Sequence, residues 1–243
     1  MIEDEMKYFL DRFLLGCTER KRKMNYEPLK ITFHLSSPIC LTSPWMFFDS
    51  LVGHIMLKQV LKEDYYLLPI KFPFSRMLER VELPPQPIKQ TGKLFHSSIS
   101  FFDTDRKALD VIYKKFEDRW IGGNKKISRA SGFYRDYMIQ SIYFPARKVF
   151  FYVNGDYEEL EKICKNITNL GDNTRIGWGF VRRFEIERTE KDYSLIKDGK
   201  AMRPIPISML KKAEETISLP WKPPYWAPEN VSLCAVPGSN VVL

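Results

Sequence analysis

Cysteine and histidine are scarce in this chain, and their positions argue against several kinds of site. The four cysteines lie far apart, without the Cys-x-x-Cys pair that favours zinc binding; they are Cys17, Cys40, Cys164 and Cys234. Only three histidines are present, so general acid–base chemistry has few candidates; they are His34, His54 and His96. We therefore expect neither a bound metal nor a cofactor.

Signals for a membrane or for secretion are missing as well. No apolar run approaches the ~20 residues that a bilayer-spanning helix needs. Acidic residues at Glu3, Asp4 and Glu5 stand where a signal peptide would carry positive charge. These absences predict a cytoplasmic protein with reduced thiols and no membrane partner.

The segment from Arg119 to Arg135 has five positive charges and no acidic residue. Its positive charges are Arg119, Lys125, Lys126, Arg129 and Arg135, and its aromatic residues include Trp120 and Tyr134, with Tyr137 just beyond. The whole chain carries a formal net charge of +8, which indicates a polyanionic partner. Nucleic acid is the first candidate for that partner, and an anionic membrane is the second.

Hydrophobic periodicity predicts an α+β chain. The strongest elements are a strand at 30–36, a helix at 45–61 after Ser43-Pro44, strands within 65–103, a strand at 147–153, a helix at 157–170 capped by Asp156, and a strand at 180–187. Their order, β-α-β-β-α-β, is that of a ferredoxin-like or RRM-like core. The aromatic consensus of an ordinary RNA-recognition motif is absent from its central strands.

Further elements are predicted around this core. Residues 4–16 have the spacing of an amphipathic helix, and residues 108–116 have that of a short helix capped by Asp103 or Asp105. The residues after about 189 show little periodicity and are rich in proline and tryptophan. We expect this tail to wrap over the core, because its aromatic side chains need burial.

A loop with three glycines joins the second predicted helix to the last strand. It reads Gly171-Asp-Asn-Thr-Arg-Ile-Gly-Trp-Gly179. Nucleotide-binding glycine loops follow a strand and open a helix, and here that order is reversed. Gly171 alone is also explained as a helix C-cap, but a cap does not account for Gly177 and Gly179 around Trp178. We expect the loop backbone, Arg175 and Arg182 to bind phosphates.

The loop and its neighbours resemble the RAMP superfamily of CRISPR proteins. The residues that carry the resemblance are Gly171 to Val181, Gly155-Asp156, Phe33-His-Leu-Ser-Ser-Pro38 and Phe48-Asp-Ser-Leu-Val-Gly53. Within that superfamily, residues 28 to 228 are most similar to the type IV subunit that caps the 5′ handle of the guide RNA. The tail strings Arg203-Pro-Ile-Pro206 and Pro223-Pro-Tyr-Trp226 support this. The superfamily loop often begins with a Gly-x-Gly pair, of which only Gly171 is present.

This resemblance implies an RNA-binding structural subunit in a ribonucleoprotein complex. Its partners would be the 5′ handle of the guide RNA (the crRNA), a backbone-forming RAMP subunit and a large subunit; a role toward target DNA stays open. The implied organisation is an N-terminal helix and linker at 1–27, a core at 28–188 with an inserted basic thumb at about 104–145, and a wrapping tail at 189–243. The implied RNA-binding residues are Trp120, Lys125, Lys126, Arg129, Tyr134, Arg135, Gly171, Arg175, Gly177, Trp178, Gly179 and Arg182.

Catalysis is the minority interpretation. Some relatives cut CRISPR repeat RNA by general acid–base chemistry, which usually needs a histidine. The spacing around His34 and His54 favours structural roles, so only His96, with Lys93 nearby, remains a candidate. The open alternatives are therefore a non-enzymatic handle-binding subunit, a metal-independent endoribonuclease, and a basic scaffold protein without RNA of its own.

Overall fold

The computed structural model describes residues 24–63, 85–115, 128–132 and 134–242. The predicted helix at 4–16 and most of the region predicted as strands in 65–87 lie outside these ranges, as do Trp120, Lys125 and Lys126. Strands outnumber helices in the described part, which contains the two α-helices α1 (Phe48–Leu61) and α2 (Tyr157–Cys164). No described helix has the length and apolarity that crossing a membrane requires.

The described residues before the tail form nine strands. They are β1 (Tyr26–Leu35), β2 (Ile39–Cys40), β3 (Gln90–Thr91), β4 (Leu94–Phe95), β5 (Phe101–Phe102), β6 (Ala108–Lys114), β7 (Tyr137–Phe144), β8 (Lys148–Asp156) and β9 (Val181–Arg188). Four of them form an antiparallel sheet in the order β5-β8-β1-β9. The long strands β1, β8 and β9 confirm the predicted strands at 30–36, 147–153 and 180–187, each within a few residues.

The main core lies between one face of this sheet and the two helices. Alternate residues of β1, namely Leu29, Ile31 and Phe33, are buried with Val149, Phe151 and Val153 of β8. They pack with Phe48, Val52, Ile55 and Met56 of α1 and with Leu160, Ile163 and Cys164 of α2. The opposite sheet face, which we call the outer face, carries Lys30, Thr32 and His34 on β1.

The helix boundaries are only partly those predicted. Asp156 caps α2 as expected, because its Oδ1 accepts a 3.2 Å hydrogen bond from the Glu159 N–H. The helix ends at Cys164 with Lys165 as its C-cap, six residues before Gly171, so the interpretation of Gly171 as a helix cap is wrong. Helix α1 begins at Phe48 without a side-chain cap, so Ser43-Pro44 does not start it.

The short helix predicted at 108–116 is also wrong, because Ala108–Lys114 is strand β6. Apolar residues at spacings of three and four coincide here with a strict alternation of exposed and half-buried positions. Cross-strand pairing with β7 decides between the two patterns. No helix follows Asp103, whose Oδ1 instead accepts a 3.0 Å hydrogen bond from the Arg147 N–H beside the ends of β6 and β7.

The tail is more regular than its sequence suggests. It contains β10 (Ile196–Lys197), β11 (Lys200–Ala201), β12 (Ile205–Pro206), β13 (Lys212–Ala213), β14 (Thr216–Pro220), β15 (Val231–Ala235) and β16 (Val241–Val242). The strands β12, β15 and β14 form one antiparallel sheet. A second small core joins Ala201, Ile205, Ala235 and Val241 to Leu94 of β4.

A buried arginine attaches this tail to the main core. Arg203 is fully buried, and its Nη1 donates to the Phe95 and Ser97 carbonyls at 2.7 and 3.0 Å. The same nitrogen lies 3.4 Å from Oδ1 of Asp49, a fully buried residue in the first turn of α1. Nη2 donates to the Trp221 carbonyl and to the Tyr225 hydroxyl, which in turn donates to Asp49. Burial raises the pKa of the Tyr225 phenol well above its ordinary value, so the hydroxyl keeps the proton that it donates.

We expect Arg203→Ala to lower the free energy of unfolding by about 3–5 kcal/mol, because it leaves the buried Asp49 carboxylate without its cation. Arg203→Lys should recover only part of this loss, since an ammonium lacks the planar fork that serves several acceptors at once. Urea denaturation followed by circular dichroism measures both values. Lys212→Ala, at an exposed tail position, is the control. A loss below about 1 kcal/mol for Arg203→Ala would contradict this role.

Candidate nucleic-acid interface

The glycine loop, residues 171–179, leaves the main core after α2 and returns to it at β9. Its ends are closed by the Leu170 N–H, which donates to the Gly179 carbonyl at 2.9 Å. Its middle is a 3₁₀ turn at Thr174–Ile176, preceded by Asn173 in the left-handed region with φ 56°. The chain therefore takes a fixed path between two anchored ends.

The three glycines of this loop have different reasons to be glycine. At Gly171 and Gly179, a Cβ would lie 2.4 Å from the Cys40 carbonyl oxygen and 1.8 Å from the Leu170 carbonyl oxygen, respectively. Neither approach is possible for another residue without a shift of the backbone. At Gly177, φ is +97° and nothing lies within 4 Å of the Cβ position. Gly171 and Gly179 thus serve the packing of the loop, and Gly177 alone combines a strained φ with open space.

Four of the loop's backbone N–H donors, those of Asp172, Ile176, Gly177 and Gly179, already have backbone partners within the chain. The N–H groups of Ile176 and Gly177 donate to the Asn173 and Thr174 carbonyls, and that of Gly179 donates to the Pro38 carbonyl. The Phe180 N–H donates to the Ser37 hydroxyl at 2.8 Å. At these positions a phosphate would have to compete with an existing hydrogen bond, so these particular N–H groups are poorly placed to bind one.

Exposed side chains give the loop an outer surface of mixed character. Arg175 and Arg182 are both exposed, as the phosphate-binding prediction requires. Between them in the sequence lie Ile176 and Phe180, whose apolar side chains are also exposed. Exposed guanidinium groups can bind phosphates, and exposed aromatic side chains can contact bases.

The structure brings the glycine loop against the base of the ribbon formed by β6 and β7. Cys40 of β2 pairs with Tyr143 of β7 and also bridges to Asp172. The Trp178 and Tyr143 rings are 4.9 Å apart, and Asn173 Nδ2 donates to the Ser141 hydroxyl at 3.3 Å. Trp178 is half-buried in this contact, so the structure gives it a packing role that its position in the loop did not indicate.

The described residues among the thumb's RNA-binding candidates lie at the opposite end of the ribbon. Arg129, Tyr134 and Arg135 are exposed, and the turn that holds them is closed by the Asp136 N–H, which donates to the Arg129 carbonyl. The ribbon pairs Ala108 with Tyr143 at its base and Lys114 with Tyr137 at its far end, a length of about 20 Å at ~3.4 Å per residue. The structure therefore separates this cluster from Arg175 and Arg182 instead of combining them in one pocket.

One face of the ribbon is apolar and exposed, a feature that the sequence analysis missed. The register places Leu109 opposite Ile142 and Tyr113 opposite Met138, with Val111 between them on the same face. These five side chains are between 41% and 76% exposed. Strand alternation in 108–114 was the available signal, but it was hidden by the helical interpretation. Apolar exposure on this scale is typical of an interaction surface.

The three histidines lie outside this loop-and-ribbon surface. His96 is buried, with Nε2 2.8 Å from the Thr91 hydroxyl and Nδ1 3.3 Å from Asp192 Oδ2. His34 lies on the outer sheet face, 3.1 Å from Glu185 Oε2, in agreement with its predicted orientation. His54 lies on α1 with much of its surface open to solvent, and partial desolvation of its imidazole, together with the charge of Lys58, lowers its pKa. Both nitrogens of the His96 ring are thus engaged by the protein.

Comparison with known proteins identifies the family. The model of a family described as CRISPR type IV associated protein Csf3 matches residues 27–237. The chain therefore belongs to the Csf3 family of type IV CRISPR-associated proteins, which confirms the resemblance predicted from its motifs. No curated protein is significantly similar to it. A chain from the cryo-EM structure of the Type III-B Cmr-beta bound to cognate target RNA has 14% identity and a TM-score of 0.37, over 76% of this chain and 67% of its own length.

The geometry predicts different costs for the same substitution at two glycines. Gly177→Ala should lower the free energy of unfolding by about 1–2 kcal/mol, the cost of a left-handed residue with a Cβ. Gly179→Ala should cost at least ~2 kcal/mol more, because the Leu170 carbonyl must move to admit the methyl group. Thermal unfolding of the two variants beside wild type measures the difference. Equal costs would show that the path of the loop at Leu170 adapts freely.

Proposed function

We propose that this chain is a structural subunit of a CRISPR ribonucleoprotein effector complex that binds and caps the 5′ repeat-derived handle of the guide RNA. The observation that carries this proposal is the contact between the glycine loop and the base of the ribbon. Two elements expected separately to bind RNA thereby form one continuous surface, with exposed arginines at the loop and at the far end of the ribbon. A net charge of +8 supports a polyanionic ligand.

The proposal treats the central sheet and its two helices as a ferredoxin-like core. The strand order β5-β8-β1-β9, with α1 between β1 and β5 and α2 between β8 and β9 along the chain, supports this assignment. The ribbon lies within the proposed thumb insertion at about 104–145. The strands of residues 196–242 constitute the proposed tail that wraps the core.

In this proposal the thumb has two functions on two surfaces. Its basic end, with Arg129 and Arg135, contacts RNA phosphates, and Lys125 and Lys126 belong to the same sequence cluster. The exposed apolar face of Leu109, Val111, Tyr113, Met138 and Ile142 packs against a neighbouring protein subunit of the complex. A protein partner suits this face because its side chains are mostly aliphatic and the face carries no charged residue.

The proposed subunit acts without catalysis. A general base must reach the proton that it abstracts, and His96 Nε2 already contacts the Thr91 hydroxyl at 2.8 Å in a buried position. The hydrogen bonds of Asp192 to His96, Asn154 and Ser194 hold the pKa of its carboxyl well below its ordinary value, despite the opposing effect of burial. These contacts support a structural role for His96 between the β3–β4 turn and the start of the tail.

A labelled repeat RNA incubated with the purified protein in chelator tests this function. We expect retention of intact RNA, and we expect Arg175→Glu to weaken retention more than Arg175→Ala, since it adds repulsion to a lost contact. Gly177→Val should also weaken it while circular dichroism shows a folded protein. Lys212→Glu, a charge reversal at an exposed position of the tail, is the control. Wild-type affinity in both Arg175→Glu and Gly177→Val would refute the role of the loop.

The same assay separates the alternatives. Cutting of the RNA at a fixed site by wild type but not by His96→Ala would establish the endoribonuclease instead. Neither retention nor cutting would leave a basic scaffold protein as the remaining interpretation.

The two surfaces of the thumb should respond to different substitutions. Alanine at Lys125, Lys126, Arg129 and Arg135 should flatten the dependence of log K on log salt by up to ~0.7 for each lost phosphate contact. Tyr113→Ser with Met138→Ser should leave that slope unchanged but reduce co-purification with the other subunits of the complex. Gln140→Ser, a polar position on the same ribbon face, is the control for folding. An unchanged salt slope would show that the basic segment is a solvated loop without phosphate contacts. Unchanged co-purification would exclude the apolar face as an interface.

A further inference from the structure

The outer face of the central sheet carries an aromatic cluster away from the glycine loop. The register places Phe101 of β5 beside Phe150 of β8, and their rings are stacked with centroids 5.6 Å apart. Tyr152 follows two residues along β8 and meets both rings edge-on. Tyr193 from the tail extends the cluster with its ring 5.6 Å from that of Tyr152. The sequence analysis read 147–153 as one apolar strand, so it did not separate these outward-facing rings from the core.

Two of these rings are accessible, unlike the aromatic residues of the core. Phe101 and Phe150 are half-buried, whereas Phe151, the next residue along β8, is fully buried on the other face of the sheet. Exposure of two large apolar rings to water is unfavourable, so covering them with a ligand stabilises the complex. Such rings offer a π-face on which an unpaired base can stack whatever its identity.

Cations surround the aromatic cluster. The Lys30 ammonium lies 5.4 Å from the centre of the Phe150 ring, and the Lys197 ammonium lies 4.6 Å from that of Tyr152. Lys197 also donates a 2.7 Å hydrogen bond to the Tyr152 hydroxyl. Lys148 is exposed and lies two residues before Phe150 on the same face. These ammonium groups can move from a ring to a phosphate when a base takes their place.

The acidic residues of this face lie on the far side of the sheet. Glu185 and Glu187 belong to β9, which β1 separates from β8; Glu187 is 3.7 Å from Lys30, and Glu185 is 2.8 Å from Arg183. Asp103 and Asp192 are nearer, but both accept hydrogen bonds from the protein. The half of the face formed by β5 and β8 therefore presents the rings together with Lys148, and Lys30 of β1 and Lys197 of the tail border it.

We propose that this outer face is a second binding surface for single-stranded nucleic acid, on which Phe101 and Phe150 stack unpaired bases while Lys30, Lys148 and Lys197 bind the adjoining phosphates. Charge complementarity favours this ligand over a protein strand, because rings interleaved with lysines suit a polyanion with flat bases. The surface is distinct from the glycine loop. Phe150 pairs with Thr32 of β1, whereas the loop enters β9 at Val181, which pairs with Leu35, three residues further along β1. The surface does not depend on handle binding by that loop.

Binding of fluorescent oligo-U RNA and oligo-dT DNA, of roughly ten nucleotides each, tests the proposal. The full chain carries Arg175→Glu throughout, so that the glycine loop contributes as little as possible. We expect Phe150→Leu to weaken binding about 5- to 150-fold, the range for one lost base stack. Phe150→Tyr should keep near-original affinity, because it retains a ring. Comparison of the RNA and DNA arms shows which single strand the surface prefers.

A second measurement guards against variants that misfold. Photo-crosslinking of the same oligonucleotides, followed by mass spectrometry of the unsubstituted chain, should place crosslinks on peptides that contain Phe101 or Phe150. Equal affinity of the Phe150→Leu and Phe150→Tyr variants, or crosslinks confined to the glycine loop and ribbon, would overturn the proposal and point to a protein-docking or solvent-facing role. Loss of handle retention in Arg175→Glu alone tests the loop and leaves this surface unaffected.

Discussion

The ion pair between Arg203 and Asp49 is the constraint on which the rest of the described structure depends. Its two residues come from different parts of the chain, the tail and the first turn of α1, and neither has access to water. Tyr225 completes the cluster and stacks on Phe47, the residue that precedes α1, with ring centroids 3.7 Å apart. Because an unpaired buried charge is so costly, the tail cannot leave the core without exposing or orphaning this group. The short tail strands, too small to be stable alone, thereby gain a fixed place.

The two-residue strand β2 joins the two parts of the candidate interface. Cys40 pairs with the ribbon through Tyr143 and with the glycine loop through Asp172. The side chain of Asp172 accepts a hydrogen bond from the Thr42 N–H at 2.6 Å, which holds the loop from a second direction. A small piece of chain thus sets the position of two larger elements relative to each other. The orientation of the ribbon at the loop follows from backbone pairing and does not require a bound ligand.

The sequence predicted elements well where one physical signal dominated. Alternation in β1, the apolar stripe of α1 and the Asp156 cap of α2 each had no competing interpretation. The helix predicted over Ala108–Lys114 was wrong because these residues satisfy helical and strand spacing equally. Only pairing with the strand that begins at residue 137 selects the strand. The prediction of Gly171 as a helix cap failed for a related reason. A side chain at this position would collide with the Cys40 carbonyl, a contact across more than a hundred residues of sequence. The sequence also selected the exposed arginines of the loop. It could not show that Trp178 packs on Tyr143 or that the ribbon has an open apolar face, since both depend on register.

The hydrogen bonds that anchor the loop's main chain have a consequence for how its exposed surface can change. Because Pro38, Ser37 and neighbouring carbonyls hold the main chain, the path of the loop is independent of the identity of Arg175, Ile176 or Phe180. Those exposed side chains are therefore free to vary without unfolding the support beneath them. Under the proposed function, related chains can follow different repeat sequences by exchanging a few surface residues of the loop while the glycines on either side stay fixed.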